Sequence, residues 1–343
     1  MERLPDRAQQ AWRRNDMRWF KTALSAVSVT GVLLAAIAML LFTPAAAIAG
    51  QPDATWRPQP NDPAALIRTY GVTRHAIQVA GAPYAQSAGQ GRQFLAFDPR
   101  GNGRIVEVFG DLSAADRIAV LVPGVANRAD NFTTGLGDVR DRAPAVQAQT
   151  LYDATRAAAP GQQVAVIAWL GYEAPQGVGR DAAREELARA GATLLDGFTK
   201  DLAILRPHAH VTVIGHSYGS VVAGLAAADL PPQVKDLVVI GSPGMGVTRA
   251  ADLHTSATIW AGQSAQDWID WVPAFQVWGA GHGTTPTTQG FGDRVFGTRG
   301  VTDHDHYLSA GTQSLANIVD IVLGRDTAVS APDSSTATVQ ASG

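Results

Sequence analysis

The chain contains no cysteine among its 343 residues, which excludes disulfides, thiolate metal ligands, a cysteine nucleophile and lipid attachment through a thiol. Charged residues are also scarce, at 17%, and a formal net charge of −3 provides no basic surface for nucleic acid. Hydrophobic residues make up 46% of the chain. This composition predicts a globular protein that buries a large sheet and has no nucleic-acid partner.

An uncharged and mostly apolar stretch covers residues 23–42, which is long enough to cross a bilayer. It is preceded by the basic residues Arg13, Arg14, Arg18 and Lys21. This basic flank predicts that the N-terminus lies in the cytoplasm and that the rest of the chain is exported. Because residues 47–49 fit a small-x-small cleavage site, residues 23–49 are either a signal peptide or a transmembrane anchor. A chain that starts at Met17 instead of Met1 would also carry a signal or anchor segment of this kind.

The most informative motif is Gly215-His216-Ser217-Tyr218-Gly219, which follows an apolar run and opens a stretch of small residues. A strand, a sharp turn and a helix with a serine at the apex is the arrangement that presents a serine nucleophile. The turn strains the serine backbone, and the two glycines let the strand and the helix pass closely. The Tyr218 N–H then lies at the start of the helix, where it can stabilise an oxyanion. The competing interpretation is a chance match in a chain with 35 glycines, and the flanking strand and helix argue against it.

Short apolar runs alternate with helical segments, which predicts a mostly parallel sheet with helices on both faces. The predicted strands are residues 93–97, 104–109, 117–122, 164–169, 211–214, 235–240 and 257–261. The predicted helices include residues 64–80, 144–158, 181–205 and 314–323, and we expect the first of them to lie outside the main domain. A turn-rich segment makes the first two strands a hairpin. A hairpin that feeds a parallel sheet, together with the serine motif, is typical of the α/β-hydrolase fold.

Five parts are predicted along the chain: a basic N-terminus at 1–22, the signal or anchor segment at 23–49, a linker and N-terminal extension at 50–92, the α/β-hydrolase domain at 93–325 and a disordered tail at 326–343.

A serine nucleophile needs a base, and the base needs an acid that orients it; in this fold the chain order is serine, acid, histidine. Asp267 is the preferred acid because it is the first carboxylate after the strand at 257–261, and Asp270 is held in reserve. Either one could instead cap the short helix that follows.

Four histidines follow the serine along the chain. His254 precedes the acid, and His282 lies in a glycine-rich loop with no helix directly after it. His304 and His306 both precede the last predicted helix, where the base belongs, and the residues alone do not choose between them. Residues 303–306 could also be taken for a metal cluster, but four consecutive residues do not easily converge on one ion. Neither a metal nor a cofactor is therefore expected.

The second oxyanion donor should come from the loop after the third strand. Pro123 has no N–H to donate, so the donor is expected to be the N–H of Val125 or of Ala126.

The chain resembles an actinobacterial α/β-hydrolase family of unknown substrate. The matching segments are residues 120–124, 215–220, 240–246, 261–262 with 267–268, 281–283 and 304–307. The resemblance covers residues 93–324. In that family the base lies in a His-x-x-Tyr segment, which implies His304, followed by Tyr307, rather than His306; Asp303 stands where the family has a glycine.

The motif and the resemblance together predict an exported serine hydrolase that cleaves small-molecule or lipid esters. Ser217, Asp267 and His304 would form its triad, and the N–H groups of Tyr218 and Val125 its oxyanion hole. One alternative is an acyltransferase that acts on cell-envelope lipids with the same triad. Another is a non-catalytic binding protein anchored in the membrane. The expected location is the cell membrane with the domain outside the cytoplasm, or the exterior if the segment is cleaved.

Overall fold

The structure is a computed structural model that describes residues 62–332, apart from residues 178–181, 183–184, 272–275 and 278–279. The side chains of residues 270–280 are also outside the described part. The predicted signal or anchor segment and the end of the predicted tail lie outside the described residues as well. Within the described ranges, no helix combines the length and the apolar character needed to cross a bilayer.

In the part of the chain that the structure describes, eight strands form one sheet and two more form a small separate hairpin. The strands of the sheet are β1 (Gln93–Asp98), β2 (Arg104–Phe109), β3 (Arg117–Val122), β4 (Val164–Leu170), β5 (His210–His216), β6 (Val234–Ile240), β7 (Thr258–Gly262) and β10 (Arg294–Val295). The hairpin consists of β8 (Gln276–Val277) and β9 (Ala280–Gly281). The spatial order of the sheet is β1-β2-β4-β3-β5-β6-β7-β10.

The sheet is mostly parallel, as predicted. β2 runs antiparallel to both of its neighbours, β1 and β4, and every other neighbouring pair is parallel. Strand β10 is too short and too polar to be found from an apolar run, and the sequence did not predict it. The central strands are apolar along nearly their whole length because both faces of the sheet are covered.

Within the described residues, five helices accompany the sheet: α1 (Pro63–Ala80), α2 (Pro144–Ala158), α3 (Glu186–Leu205), α4 (Tyr218–Ala226) and α5 (Gln313–Val322). The crossover through α2 leads from β3 to β4, whereas those through α3 and α4 advance in the opposite direction across the sheet. Because such crossovers are right-handed, α2 lies on one face, and α3 and α4 lie on the other. Helix α5 packs against α2, and α3 packs against α4. The α/β-hydrolase fold with helices on both faces is thus confirmed.

The sequence suggested that α1 lies outside the main domain, but in the structure this helix packs against β1. Asp62 caps its start by accepting a hydrogen bond from the Ala65 N–H at 2.9 Å. The face that meets the sheet carries the buried residues Leu66, Tyr70, Thr73 and Ile77. These residues recur at helical spacing, so the helix contributes an apolar stripe to the core of the hydrolase fold.

The segment after α5 is held on the domain over its first residues. Asp326–Ala328 form a 3₁₀ turn. The Ser330 N–H then donates to the Asn317 side chain at 2.8 Å, and the Ser330 carbonyl accepts from the Gly297 N–H at 2.9 Å. The predicted disordered tail is therefore ordered from residue 326 to residue 332, because its backbone groups find partners on α5 and beside β10.

A buried ion pair stabilises the antiparallel end of the sheet. The Glu107 side chain on β2 is only 1% exposed, and the Nε and Nη2 atoms of Arg92 each donate to one of its oxygens at 2.5 Å. Burial raises the pKa of Glu107, and the Arg92 guanidinium opposes that effect. Removing the arginine would leave a buried carboxylate without its partner.

We expect Arg92→Ala to lower the free energy of unfolding by about 3 kcal/mol, because an unpaired buried charge is costly. Arg100→Ala is the matched control: its side chain is 69% exposed, and it pairs with Asp98, which keeps Arg104 as a second partner. The control should change stability by less than about 1 kcal/mol. Urea unfolding of both variants measures this, and equal losses would contradict the assignment.

Candidate active site

Ser217 occupies a strained turn between a strand and a helix. It follows the last residue of β5 and precedes the first residue of α4, with φ 55° and ψ −127°. Residues other than glycine rarely adopt a positive φ, and such strain collects at functional sites. The Ser217 N–H donates to the Ile240 carbonyl at 3.0 Å, and its carbonyl accepts from the Ser220 N–H at 2.9 Å. The surrounding backbone thus holds the strained conformation in place.

The two glycines of the motif allow a backbone contact that no side chain would permit. A Cβ added to Gly215 would lie 2.6 Å from the Cα of Ser220. A Cβ added to Gly219 would lie 2.1 Å from the carbonyl oxygen of Val122, at the end of β3. The start of α4 therefore rests directly on the backbone of the sheet, as the motif predicted.

The preferred acid and one of the two candidate bases are hydrogen-bonded to each other. Asp267 follows β7, and His304 lies in the loop before α5. The Nδ1 atom of His304 lies 2.8 Å from each carboxylate oxygen of Asp267. The Nε2 atom of the same ring is buried and has no hydrogen-bond partner within the described ranges. This leaves Nε2 available to accept a proton, the arrangement that a triad base requires.

The Asp267 carboxylate is surrounded by donors. Its Oδ1 accepts from the Ile269 N–H at 2.9 Å, and its Oδ2 accepts from the Tyr307 hydroxyl at 2.8 Å. That hydroxyl in turn accepts from the Ser264 N–H at 2.9 Å. Burial, the largest influence, raises the pKa of Asp267, but the bonds from His304, Ile269 and Tyr307 together lower it below its ordinary value. The carboxylate is therefore ionised despite its burial.

His304 is held between opposing influences on its charge. It is only 6% exposed, and burial by itself lowers its pKa. The bond to Asp267 and the charge of that carboxylate outweigh burial, so the pKa of His304 is raised above its ordinary value. The rings of Trp268 and His216 contact the imidazole, with centroid distances of 4.8 and 4.9 Å.

The alternative base and acid are placed differently. His306 is 29% exposed and is bonded to two other carboxylates, Asp303 at 2.6 Å and Asp141 at 3.1 Å. The bond to Asp303 and the nearby carboxylates raise its pKa. The side chain of Asp270 lies outside the described residues. In the part of the chain that is described, no group of three or more His, Asp or Glu side chains is arranged to hold a metal ion.

The loop after β3 lies next to Ser217, and hydrogen bonds hold its backbone in place. A Cβ added to Gly124 would lie 2.6 Å from the Cβ of Ser217. The Ala126 N–H donates to the Pro175 carbonyl at 2.7 Å. Of the two candidate oxyanion donors in this loop, only the Val125 N–H therefore has no hydrogen-bond acceptor among the described residues. The side chain of Asn127 donates to the carbonyls of Gly124 and Val125. The other candidate donor, the N–H of Tyr218, lies at the positive end of the α4 dipole.

Sequence reasoning assigned no role to several residues that support the site. Gly241 follows β6 with φ 53°, and a Cβ there would lie 2.9 Å from Oδ2 of Asp267 and 3.1 Å from the His304 ring. The sequence did contain a signal for Gly241: it is a glycine directly after a buried strand, at the sheet edge where the serine lies. Tyr307 and Trp268 belong to segments that match the family, but those patterns do not give their contacts. Only the folded chain brings the tyrosine hydroxyl to Asp267 and the indole ring to His304.

We expect Gly219→Ala to unfold the protein or lower its stability by several kcal/mol, since the new methyl would collide with the Val122 carbonyl rather than with a movable side chain. Gly197→Ala on α3 is the matched control, because nothing lies within 4 Å of the added atom. In an exposed helix interior that change should stabilise by roughly 0.5–1 kcal/mol. Thermal and urea unfolding compare the two, and a stable Gly219→Ala variant would contradict the close approach.

Comparison with known proteins supports the resemblance seen in the sequence. Residues 98–277 match a protein family described as alpha/beta hydrolase, a range that includes Ser217 and Asp267 and ends before His304. An uncharacterized protein of Mycobacterium tuberculosis is 31% identical over 266 residues, which covers 68% of this chain and 40% of that protein. An uncharacterized protein of Mycobacterium bovis is 38% identical over 161 residues, covering 46% of this chain and 58% of that protein.

The chain thus spans less than two thirds of the length of either relative. Among solved structures, an α/β serine hydrolase without a lid from Xanthomonas campestris covers 69% of this chain and 95% of its own, with 14% identity and a TM-score of 0.39. A likeness of that degree carries no argument about activity. The family match extends over more than half of the chain and confirms the resemblance: the chain belongs to the alpha/beta hydrolase family.

Proposed function

We propose that this protein is a serine hydrolase that cleaves carboxylic esters through an acyl-enzyme on Ser217. Membership of the alpha/beta hydrolase family supports hydrolase activity. The single observation that carries the finer proposal is the state of His304: Nδ1 is bonded to the ionised Asp267, and Nε2 is buried with no partner among the described residues. A base oriented in this way, whose ring contacts His216 beside the strained Ser217, suits the arrangement that nucleophilic acyl transfer uses.

In the first half of the reaction, the Ser217 Oγ attacks the ester carbonyl carbon while Nε2 of His304 takes the hydroxyl proton. The Asp267 carboxylate stabilises the imidazolium that forms. The carbonyl oxygen becomes an oxyanion, to which the N–H groups of Tyr218 and Val125 donate. When the tetrahedral intermediate collapses, the bond to the alcohol oxygen breaks and His304 returns the proton to that oxygen. The acyl group remains on Ser217.

In the second half, a water molecule attacks the acyl carbon while Nε2 of His304 takes a proton from it. A second oxyanion forms and is held by the same two N–H groups. Collapse breaks the bond to the Ser217 Oγ, which receives the proton from His304. The products are a carboxylic acid and the free enzyme, so atoms and protons balance over the cycle.

We also propose that the protein is exported and works at the membrane or outside the cytoplasm. The support is the apolar segment at residues 23–42 and the basic residues before it, which lie outside the described part of the structure. An extracytoplasmic site would give the enzyme access to small-molecule or lipid esters of the envelope or the medium.

Labelling with a fluorophosphonate tests the nucleophile and the base. We expect the parent protein to react covalently, and Ser217→Ala and His304→Ala to lose the label. His306→Ala is the control, since that ring is bonded to Asp303 and Asp141 and should leave labelling intact. An unlabelled parent would refute the serine hydrolase, and loss of label only in His306→Ala would reassign the base. Product analysis with ester and added alcohol separates hydrolysis from acyl transfer.

The pH dependence of kcat/KM tests the pair of Asp267 and His304. The base must be neutral to take a proton, and its pKa is raised above the ordinary 6.5, so activity should fall as the pH decreases through a value above 6.5. Asp267→Asn removes the bond and the charge that raise this pKa, so the inflection should move to lower pH. The rate should also fall by about 10⁴-fold, as when a triad loses its acid. An inflection that does not move would show that another group titrates.

A further inference from the structure

His216 is in contact with both halves of the proposed catalytic machinery. It is the last residue of β5, so its backbone is joined directly to Ser217. Its side chain is buried, and Nε2 lies 2.8 Å from the carbonyl oxygen of His304, 88 positions further along the chain. Because a carbonyl oxygen can only accept, the geometry assigns the proton to Nε2, which donates.

The charge state of His216 suits a permanent donor. Burial is the largest influence and, with the nearby His304, lowers the pKa of His216 to about 4. The ring is therefore neutral over the pH range in which a histidine base works. It also stays neutral when His304 becomes protonated, because two cations with ring centroids 4.9 Å apart repel each other. The bond from Nε2 to the carbonyl of His304 can thus persist through the reaction.

The bond connects two segments that are separately supported: the turn that carries Ser217 and the loop that carries His304. Ser217 is fixed by the turn between β5 and α4, and the base loop is held by Tyr307 on Asp267 and by Arg142 on Asp305. Proton transfer from a serine to an imidazole depends on their separation, and a misplacement of about 1 Å can cost about 100-fold in rate. A bond that runs from the residue beside the serine to the backbone of the base acts on that separation.

We propose that His216 is a positioning residue that sets the register between the nucleophile Ser217 and the base His304 by its hydrogen bond to the His304 carbonyl. The inference rests on the proposed function. It assigns His216 no contact with substrate and no proton transfer of its own, so its loss should lower kcat and the rate of labelling while leaving KM nearly unchanged.

Three substitutions in the full chain separate the hydrogen bond from the packing of the ring. His216→Phe keeps an aromatic ring but has no donor. In His216→Gln the amide nitrogen can reach the place of Nε2, whereas in His216→Asn it reaches only the place of Nδ1. We expect the Phe and Asn variants to react with the fluorophosphonate about 100-fold more slowly than the parent. The Gln variant keeps a donor at the place of Nε2, so it should react within about fivefold of the parent, a difference no larger than one ordinary hydrogen bond contributes.

His210→Gln is the matched control, because it changes a histidine at the exposed end of the same strand and should leave labelling unchanged. Urea unfolding of each variant shows that it is folded, and if the Phe variant does not fold, the comparison of Asn with Gln decides. A parent that is labelled normally, with Phe or Asn variants equally fast, or with a Gln variant as slow as Asn, would overturn the role of His216 alone. A parent that is not labelled would overturn the proposed function and this inference with it.

Discussion

The bond between Asp267 and His304 is the interaction on which the rest of the site depends. A carboxylate without exposure remains charged only where donors replace the water that it has lost. Here those donors are the imidazole, the Ile269 N–H and the Tyr307 hydroxyl. Two of the three lie in the loop before α5, so the same contacts that keep the carboxylate ionised also join that loop to the loop after β7. The same hydrogen bonds therefore stabilise the charge of Asp267 and fix the positions of the two loops.

The order of the strands explains how these loops meet. Parallel strands end at the same edge of a sheet, and β5, β6 and β7 are neighbours there. Ser217 follows β5 and Asp267 follows β7, so the chain that leaves β6 must pass between them. The first residue after β6 is Gly241. Its missing side chain leaves the space in which Asp267 and His304 approach each other. Gly219 likewise leaves space between α4 and β3, and Gly215 between β5 and α4.

The family match and the geometry describe different parts of the site. The match covers the serine and the acid and stops at residue 277, whereas the imidazole bonded to the acid belongs to residue 304. The relatives are 31% and 38% identical to this chain over the aligned residues alone, and their names carry no substrate. The arrangement of Asp267, His304 and the strained Ser217 is therefore the support for ester chemistry.

The architecture could be predicted from the sequence, because apolar runs long enough to be buried on both faces indicate a parallel sheet without knowledge of contacts. The sequence also determined the serine turn, since only glycines fit where a helix start rests on a strand. The sequence misplaced α1, because its buried stripe can be seen at helical spacing whereas its partner strand cannot. It also placed the start of the disordered tail before Ser330, although Ser330 is hydrogen-bonded to Asn317.

Position along the chain did not separate two histidines only two residues apart; the family resemblance implied His304, and the tertiary structure shows how the two rings differ. His304 and His306 have the same chemistry and the same place relative to α5, so the residues alone gave no reason to prefer either. Folding brings one ring to Asp267 and the other to Asp303 and Asp141. The contacts of Tyr307 and His216 could not be predicted for the same reason, although the resemblance had placed Tyr307 in a His-x-x-Tyr segment. A hydrogen bond between residues 40 or 88 positions apart depends on where two loops come to lie, and local sequence patterns do not contain that distance.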